Sequence, residues 1–297
     1  MGNNGKLRSY QADLSLLAVS AVWGVSFTMV KQSLGNASPM LFLAIRFLIA
    51  AAVLLPWLFA APPQGRRGRL LPGVLVGCFL FAGYAFQTLG LQRVTPTNSA
   101  FVTALSVILV PLCVIPIRRR LPAGATWFGV GLATVGLYFL LLDAGQFQFS
   151  PGDLLTLCCA LMFALHIVAI DRFARREPLR HFATVQIVTA AILAAGAALF
   201  LETPVFHAGA GLLFALGFTG IFCTAGAFAV QTSMQRYTTP TRVAIVYATE
   251  PIFAAMVSYF FHGESLGWRD FLGGGLILAG ILAAELGPGI MKGKARR

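Results

Sequence analysis

The sequence predicts an all-α integral membrane protein: ten transmembrane helices arranged as two inverted five-helix repeats. Three observations carry that prediction: the density of long apolar runs, the side on which Lys and Arg fall between them, and a repeat at near-constant spacing. Hydrophobic residues are 58% of the 297 positions and charged residues 11%, less than half the charged share of an ordinary soluble domain. A helix needs about 20 apolar residues to cross a bilayer. Ten runs qualify, at 12–31, 39–59, 71–91, 97–117, 124–142, 151–170, 180–200, 209–231, 240–261 and 268–286. Gly35-Asn36-Ala37-Ser38-Pro39, Pro62-Pro63-Gln64-Gly65, Thr95-Pro96-Thr97 and Ser150-Pro151-Gly152-Asp153 are among the polar breaks. Proline stands there because a first-turn N–H has no intrahelical partner anyway. The first run has no small-residue cleavage site after it and reads as a retained helix.

With ten spans the two termini share one side. That side collects 18 of the Lys and Arg residues, among them Arg66, Arg67, Arg118, Arg119, Arg120, Arg172, Arg175, Arg176, Arg180 and the tail at 292–297. The other side holds Lys31, Arg93 and Arg269, and Arg46 lies within a span. Such a split over short loops puts both termini in the cytoplasm.

Gln87-Thr88 returns as Gln231-Thr232, Pro96-Thr97 as Pro240-Thr241, and Gly129 and Gly136 as Gly273 and Gly280, all at an offset of 144 residues. Spans 1 and 2 match spans 6 and 7 at an offset of 140, where Asp13-Leu14 meets Asp153-Leu154 and Ala50-Ala51 meets Ala190-Ala191. The chain therefore divides into repeats at 1–145 and 146–297. An odd number of helices per copy turns the second copy over, the arrangement that recurs in secondary transporters with the site near the midplane.

The net charge of +12 and pI near 10.2 do not indicate nucleic acid. The basic residues sit in short clusters between apolar runs, as topology signals and anchors to anionic lipid. Cys78, Cys113, Cys158, Cys159 and Cys223 all lie inside apolar spans without metal-ligand spacing, so neither a disulfide nor a metal is expected. No cofactor motif is present: there is no phosphate-binding Gly-Lys-Ser/Thr loop, no Gly-x-Ser-x-Gly and no His-Glu-x-x-His.

Span 9 holds the most informative pair, Glu250-Pro251, about ten residues in from Pro240. At about 1.5 Å per residue this is close to the bilayer midplane. A charge there costs at least about 2.5 kcal/mol unless it faces protein or water. Pro251 frees the carbonyl of Tyr247 and tends to kink the helix. The alternative is a protonated Glu250 hydrogen-bonded between packed helices.

Ala44-Ile45-Arg46-Phe47-Leu48, Pro96-Thr97-Asn98-Ser99-Ala100, Glu250-Pro251-Ile252-Phe253-Ala254-Ala255, Gly263-Glu264-Ser265-Leu266 and Gly273-Gly274-Gly275-Leu276 resemble the ten-helix, EamA-type branch of the drug/metabolite transporter superfamily. The resemblance covers nearly the whole chain. It departs from the pattern in repeat 1, where Ser106 stands for Glu250, Arg120 for Glu264, and Pro111 lies one turn beyond the position matching Pro251. It implies a central cavity between spans 1, 3, 4, 6, 8 and 9. Substrate-binding candidates are then Trp23, Ser26, Phe27, Tyr84, Thr103, Ser106, His166, Tyr247 and Glu250. Glu250 and His166 are the coupling candidates, and Pro111 and Pro251 the hinges. Each has an ordinary packing role as its alternative, since Ser, Thr and aromatic residues are common between membrane helices. Arg46 is read as structural, and Gln87 and Gln231 as interfacial caps before gate residues.

The function expected is secondary active transport of a small organic metabolite, an amino acid or aromatic compound, outward across a bacterial inner membrane by alternating access. Protons are the candidate coupling ion, the bilayer is the partner, a monomer is compatible with the sequence, and no cofactor is required. An intramembrane enzyme and a passive channel stand as alternatives.

Overall fold

The computed structural model describes residues 3–59, 68–119, 121–141, 150–262 and 267–294. The expected turn at 62–65, Arg66, Arg67, Arg120, the 263–266 motif and the last three residues of the basic tail lie outside the described residues. Among those described, all regular elements are helical, and one isolated β-bridge joins Ala37 to Phe206.

The order is α1 (Asn3–Ser33), α2 (Pro39–Phe59), α3 (Leu70–Leu91), α4 (Pro96–Ala104), α5 (Ser106–Arg118), α6 (Gly124–Leu141), α7 (Pro151–Phe173) and α8 (Leu179–Phe200). It continues with α9 (Ala210–Gly220), a π-helical turn (Ile221–Gly226), α10 (Ala227–Met234), α11 (Pro240–Tyr247), α12 (Glu250–His262) and α13 (Trp268–Lys294). Among the described residues, seven stretches are long and apolar enough to cross a membrane: α1, α2, α3, α4 with α5, α7, α8, and α9 through α10. The chain is a multi-pass membrane protein. The other three expected spans are helical too, as α6, α11 with α12, and α13, but are not among those seven.

Helix starts follow local chemistry. Thr95 and Thr239 accept from the N–H of Asn98 and Arg242, with Pro96 and Pro240 in the first turn. Ser150 and Asp153 form a reciprocal capping box at the start of α7, which satisfies two N–H groups that have no carbonyl to bond.

Two expected continuous helices are interrupted. The fourth span breaks at Leu105 and the ninth at Ala248-Thr249, and 105 and 249 are equivalent at the 144-residue offset. At each break the bonds tighten to three residues: Leu105 N–H donates to the Val102 carbonyl at 3.2 Å and Thr249 N–H to the Val246 carbonyl at 3.1 Å. The fragments beyond the breaks, α5 and α12, are 13 residues each and begin at Ser106 and Glu250. The first break therefore stands six residues before Pro111, which lies inside α5. A proline lacking its N–H does not sever a helix whose other bonds hold.

Small residues set the close helix pairs. α2 packs on α8 through Ala50, Ala190, Ala191 and Ala194. α6 packs on α13 where a Cβ on Gly136 would lie 2.5 Å from the Gly273 carbonyl oxygen, and one on Gly280 2.6 Å from that of Gly129. All four glycines belong to the repeat, so duplication has produced a reciprocal crossing that only glycine permits. Large apolar side chains such as Leu48, Ile192, Leu199, Phe200, Phe214 and Phe222 cover the outside, as lipid contact requires.

Candidate functional site

A cavity lies where α1, α3, the α4–α5 break, α7, α10 and the α11–α12 break converge. Its wall is Trp23, Ser26, Phe27, Tyr84, Gln87, Thr103, Ala104, Ser106, Phe163, His166, Ile167, Phe228, Gln231, Tyr247 and Glu250. All nine residues singled out as substrate-binding candidates are in this wall, whose fifteen residues come from the six spans expected to surround it. Fourteen of the fifteen wall residues fall into seven repeat-equivalent pairs: Trp23 with Phe163, Ser26 with His166, Phe27 with Ile167, Tyr84 with Phe228, Gln87 with Gln231, Thr103 with Tyr247, and Ser106 with Glu250. The two copies contribute matching positions but different chemistry, and only one wall position is a carboxylate.

The aromatic residues brace one another. Trp23 meets Tyr247 edge-on at 4.9 Å and lies 5.3 Å from Phe228, while Tyr84 meets Phe163 at 5.2 Å and Phe47 at 5.5 Å. Each such edge-to-face pair adds about 0.5–1.5 kcal/mol beyond its burial. Trp23 Nε1 donates to the Cys223 carbonyl at 2.7 Å, inside the π-helical turn, where wider winding changes which carbonyls are bonded along the helix. Gly24 brings α1 onto α12: a Cβ there would lie 2.8 Å from the Glu250 carbonyl oxygen.

The polar groups divide into those already bonded and those that are not. His166 Nε2 lies 3.1 Å from Gln186 Oε1, whose amide Nε2 donates to Thr232 Oγ1 at 2.9 Å. With the amide so oriented, His166 donates through Nε2. Ser26 donates to the Trp23 carbonyl at 2.7 Å, and Gln87 Nε2 to Thr103 Oγ1 at 3.4 Å. By contrast the Tyr247 hydroxyl and Gln231 Oε1 are buried without a hydrogen-bond partner among the described residues. Glu250 is 7% exposed and its carboxylate is bonded to no described residue. Buried polar groups are almost always paired, so the two buried orphans, Tyr247 OH and Gln231 Oε1, beside an unbonded carboxylate mark this wall as the candidate site.

Gln87 and Gln231 are not interfacial caps: both are buried in the cavity wall, because their helices turn these positions inward against Thr103 and Gln235. Arg46 neither snorkels nor reaches solvent. At 1% exposure its Nε donates to Thr224 Oγ1 at 2.7 Å and its Nη2 to the Tyr84 hydroxyl at 3.1 Å, with the guanidinium 4.3 Å from the Tyr84 ring centre. It therefore stands directly behind the cavity wall. Gln186, Phe228 and Arg46 had no local signal for these contacts, since their partners lie on distant spans. The repetition of Gln87-Thr88 as Gln231-Thr232 was the one usable sign for the glutamines.

The cavity is small, about 40 Å³, room for a few waters at about 10–15 Å³ each. A second, wider cavity of about 330 Å³ lies between α5 and α7, lined by Val114, Ile117, Val168, Asp171, Arg172, Arg175 and Arg176. Ile167 and Val168, adjacent on α7, line one cavity each.

A helical membrane bundle with a polar-lined cavity walled by matching positions of a repeat is an architecture that membrane transporters use. The sequence profile of the EamA-like transporter family matches residues 11–142 and 150–285, and the chain belongs to that family, within the drug/metabolite transporter superfamily. It is 33% identical over 285 residues to an uncharacterized transporter of Archaeoglobus fulgidus, covering 96% of this chain and 89% of the relative. It is 22% identical to the uncharacterized transporter YwfM of Bacillus subtilis, covering 93% and 94%. The uncharacterized inner membrane transporter YedA of Escherichia coli is 23% identical, covering 94% and 92%. A crystal structure titled only as that of a protein aligns with a TM-score of 0.78 at 22% identity, over 93% of this chain and 97% of that one, and so shares the fold.

Proposed function

We propose that this protein is a secondary active exporter of small amine-bearing organic metabolites, amino-acid-like or aromatic, working by alternating access in a bacterial inner membrane. In this reading its ten helices form inverted repeats at 1–145 and 146–297, both termini face the cytoplasm, and Glu250 carries the coupling proton. The observation that carries it is Glu250: a carboxylate in the cavity wall, bonded to no described residue, at the first position beyond a helix break. An ammonium group would complete its pairing and that of Gln231 Oε1, and the surrounding aromatic faces attract cations. Competition between substrate and proton for one carboxylate couples their movements, since neither form of the carrier need hold both. His166, whose Nε2 is already engaged with Gln186, is the weaker coupling candidate.

The test is Glu250→Gln in proteoliposomes. Exchange of substrate across the membrane should persist, whereas accumulation against a gradient should fall at least about tenfold and lose its dependence on the proton gradient. Parental accumulation with the parental pH profile would remove Glu250 from the coupling role. Flux in the parent that ignores an imposed proton gradient would favour a channel.

A further inference from the structure

Arg242, the third residue of α11, pairs with Asp13 of α1, Nη2 to Oδ2 at 2.5 Å. Asn98, the third residue of α4, donates through Nδ2 to Asp153 Oδ1 of α7 at 2.7 Å. Asn98 and Arg242 are equivalent at the 144-residue offset, and Asp13 and Asp153 at 140. These are one contact made twice, each time between the first helix of one repeat and the fourth span of the other.

The two contacts stand at opposite ends of the bundle. Lys31, 18 residues beyond Asp13 on α1 and so about 27 Å away, donates to the Leu91 and Val94 carbonyls just before α4. Each contact also sits on a short lever. Asn98 and Arg242 lie eight residues from Ser106 and Glu250, about 12 Å along the helix, and the break lies between. The levers α4 and α11 carry a latch residue near one end and a cavity residue, Thr103 or Tyr247, near the other.

We infer that Asp13–Arg242 and Asp153–Asn98 are the two gates of the transport cycle, a pair of unequal latches whose release lets α11 or α4 swing at its break and open the cavity to that end. This rests on the alternating-access reading above. The latches differ in chemistry. The first is an ion pair, reinforced by Arg242 Nη1 to Ser9 Oγ at 3.1 Å and Thr238 Oγ1 to Asp13 Oδ1 at 3.3 Å. In the second a neutral amide meets an aspartate whose other oxygen is taken by the Ser150 N–H and hydroxyl. Both are closed in this conformation, in keeping with the small cavity. The Asn98 end is the easier to open, so the resting population favours access there. Unequal latches set that population, while the driving gradient sets the direction of net flux.

Hydrogen–deuterium exchange of the full chain in lipid nanodiscs reads each end separately. Arg242→Asn should raise exchange around 5–14 and 236–243 by about fivefold to tenfold and leave 92–99 unchanged. Asn98→Arg, which installs the partner that the equivalent position already has, should slow exchange at 92–99 and 150–155. The double variant Asn98→Arg/Arg242→Asn should invert the order of the two ends, and Arg242→Lys, keeping the charge, should stay near the parent and control for misfolding. Equal changes at both ends, or none, would overturn the latches. Flux is measured in parallel on the same variants: latches that respond in a parent without flux would overturn the transport reading alone, and flux with unresponsive ends would overturn the latches alone.

Discussion

At the scale of single residues, a guanidinium at membrane depth survives only by finding acceptors inside the protein. Arg46 finds Thr224 and Tyr84, and Tyr84 in turn packs at near right angles to the cavity ring of Phe163. Tyr84→Phe keeps the ring but withdraws one acceptor from a buried charge, so it should destabilise by roughly 1–3 kcal/mol, measured by thermal unfolding in detergent, and alter substrate affinity more than Phe47→Leu does. Gly24→Ala places a methyl against the Glu250 carbonyl and should cost about 1–3 kcal/mol through overpacking. Nine of the fifteen wall residues were legible because the family resemblance implied which spans enclose a cavity, and the repeat offset matched positions of equal depth on them. The contacts of Arg46 and Gln186 were not, because they reach Thr224 and Thr232 on spans that no local pattern connects.

At the scale of elements, the two interruptions are the departure from sequence reasoning with most consequence. Prolines announced flexible helices, yet the break in the fourth span stands at Leu105 rather than Pro111. Repeat equivalence with Thr249 describes its position; no side-chain chemistry at Leu105 accounts for it. Thr249 does have a local cause: its hydroxyl donates to the Val246 carbonyl at 2.7 Å and meets Ser20 Oγ at 2.9 Å, competing with the helix ladder. Pro251→Ala restores an N–H beside that break and should slow transport by roughly tenfold with little change in substrate affinity, by initial rates and equilibrium binding. Pro111→Ala, inside an unbroken α5, should have the smaller effect. The π-helical turn had no sequence signal, and its worth is visible only through Trp23, which bonds a carbonyl within it.

At the scale of the whole molecule, the proposed topology has a direct test. A cysteine at Thr203 should react with an impermeant thiol reagent in intact cells, and one at the exposed Leu121 should not; the opposite pattern would reverse the orientation. The all-helical, multi-pass and duplicated character was legible because apolar run length and duplication are chain-wide properties. The cavity's small volume was not, since it depends on how side chains from the two halves interlock. That interlocking also governs biosynthesis. Tyr84 follows Arg46 by 38 residues, but Thr224 follows it by 178, a delay on the order of ten to forty seconds at typical elongation rates. Until the ribosome has made the second half, the nascent first half carries a membrane-embedded cation with half its acceptors missing. Chains truncated shortly before residue 224 should therefore be cleared by quality-control proteolysis faster in pulse–chase than chains ending after α10, and Arg46→Met should narrow that difference.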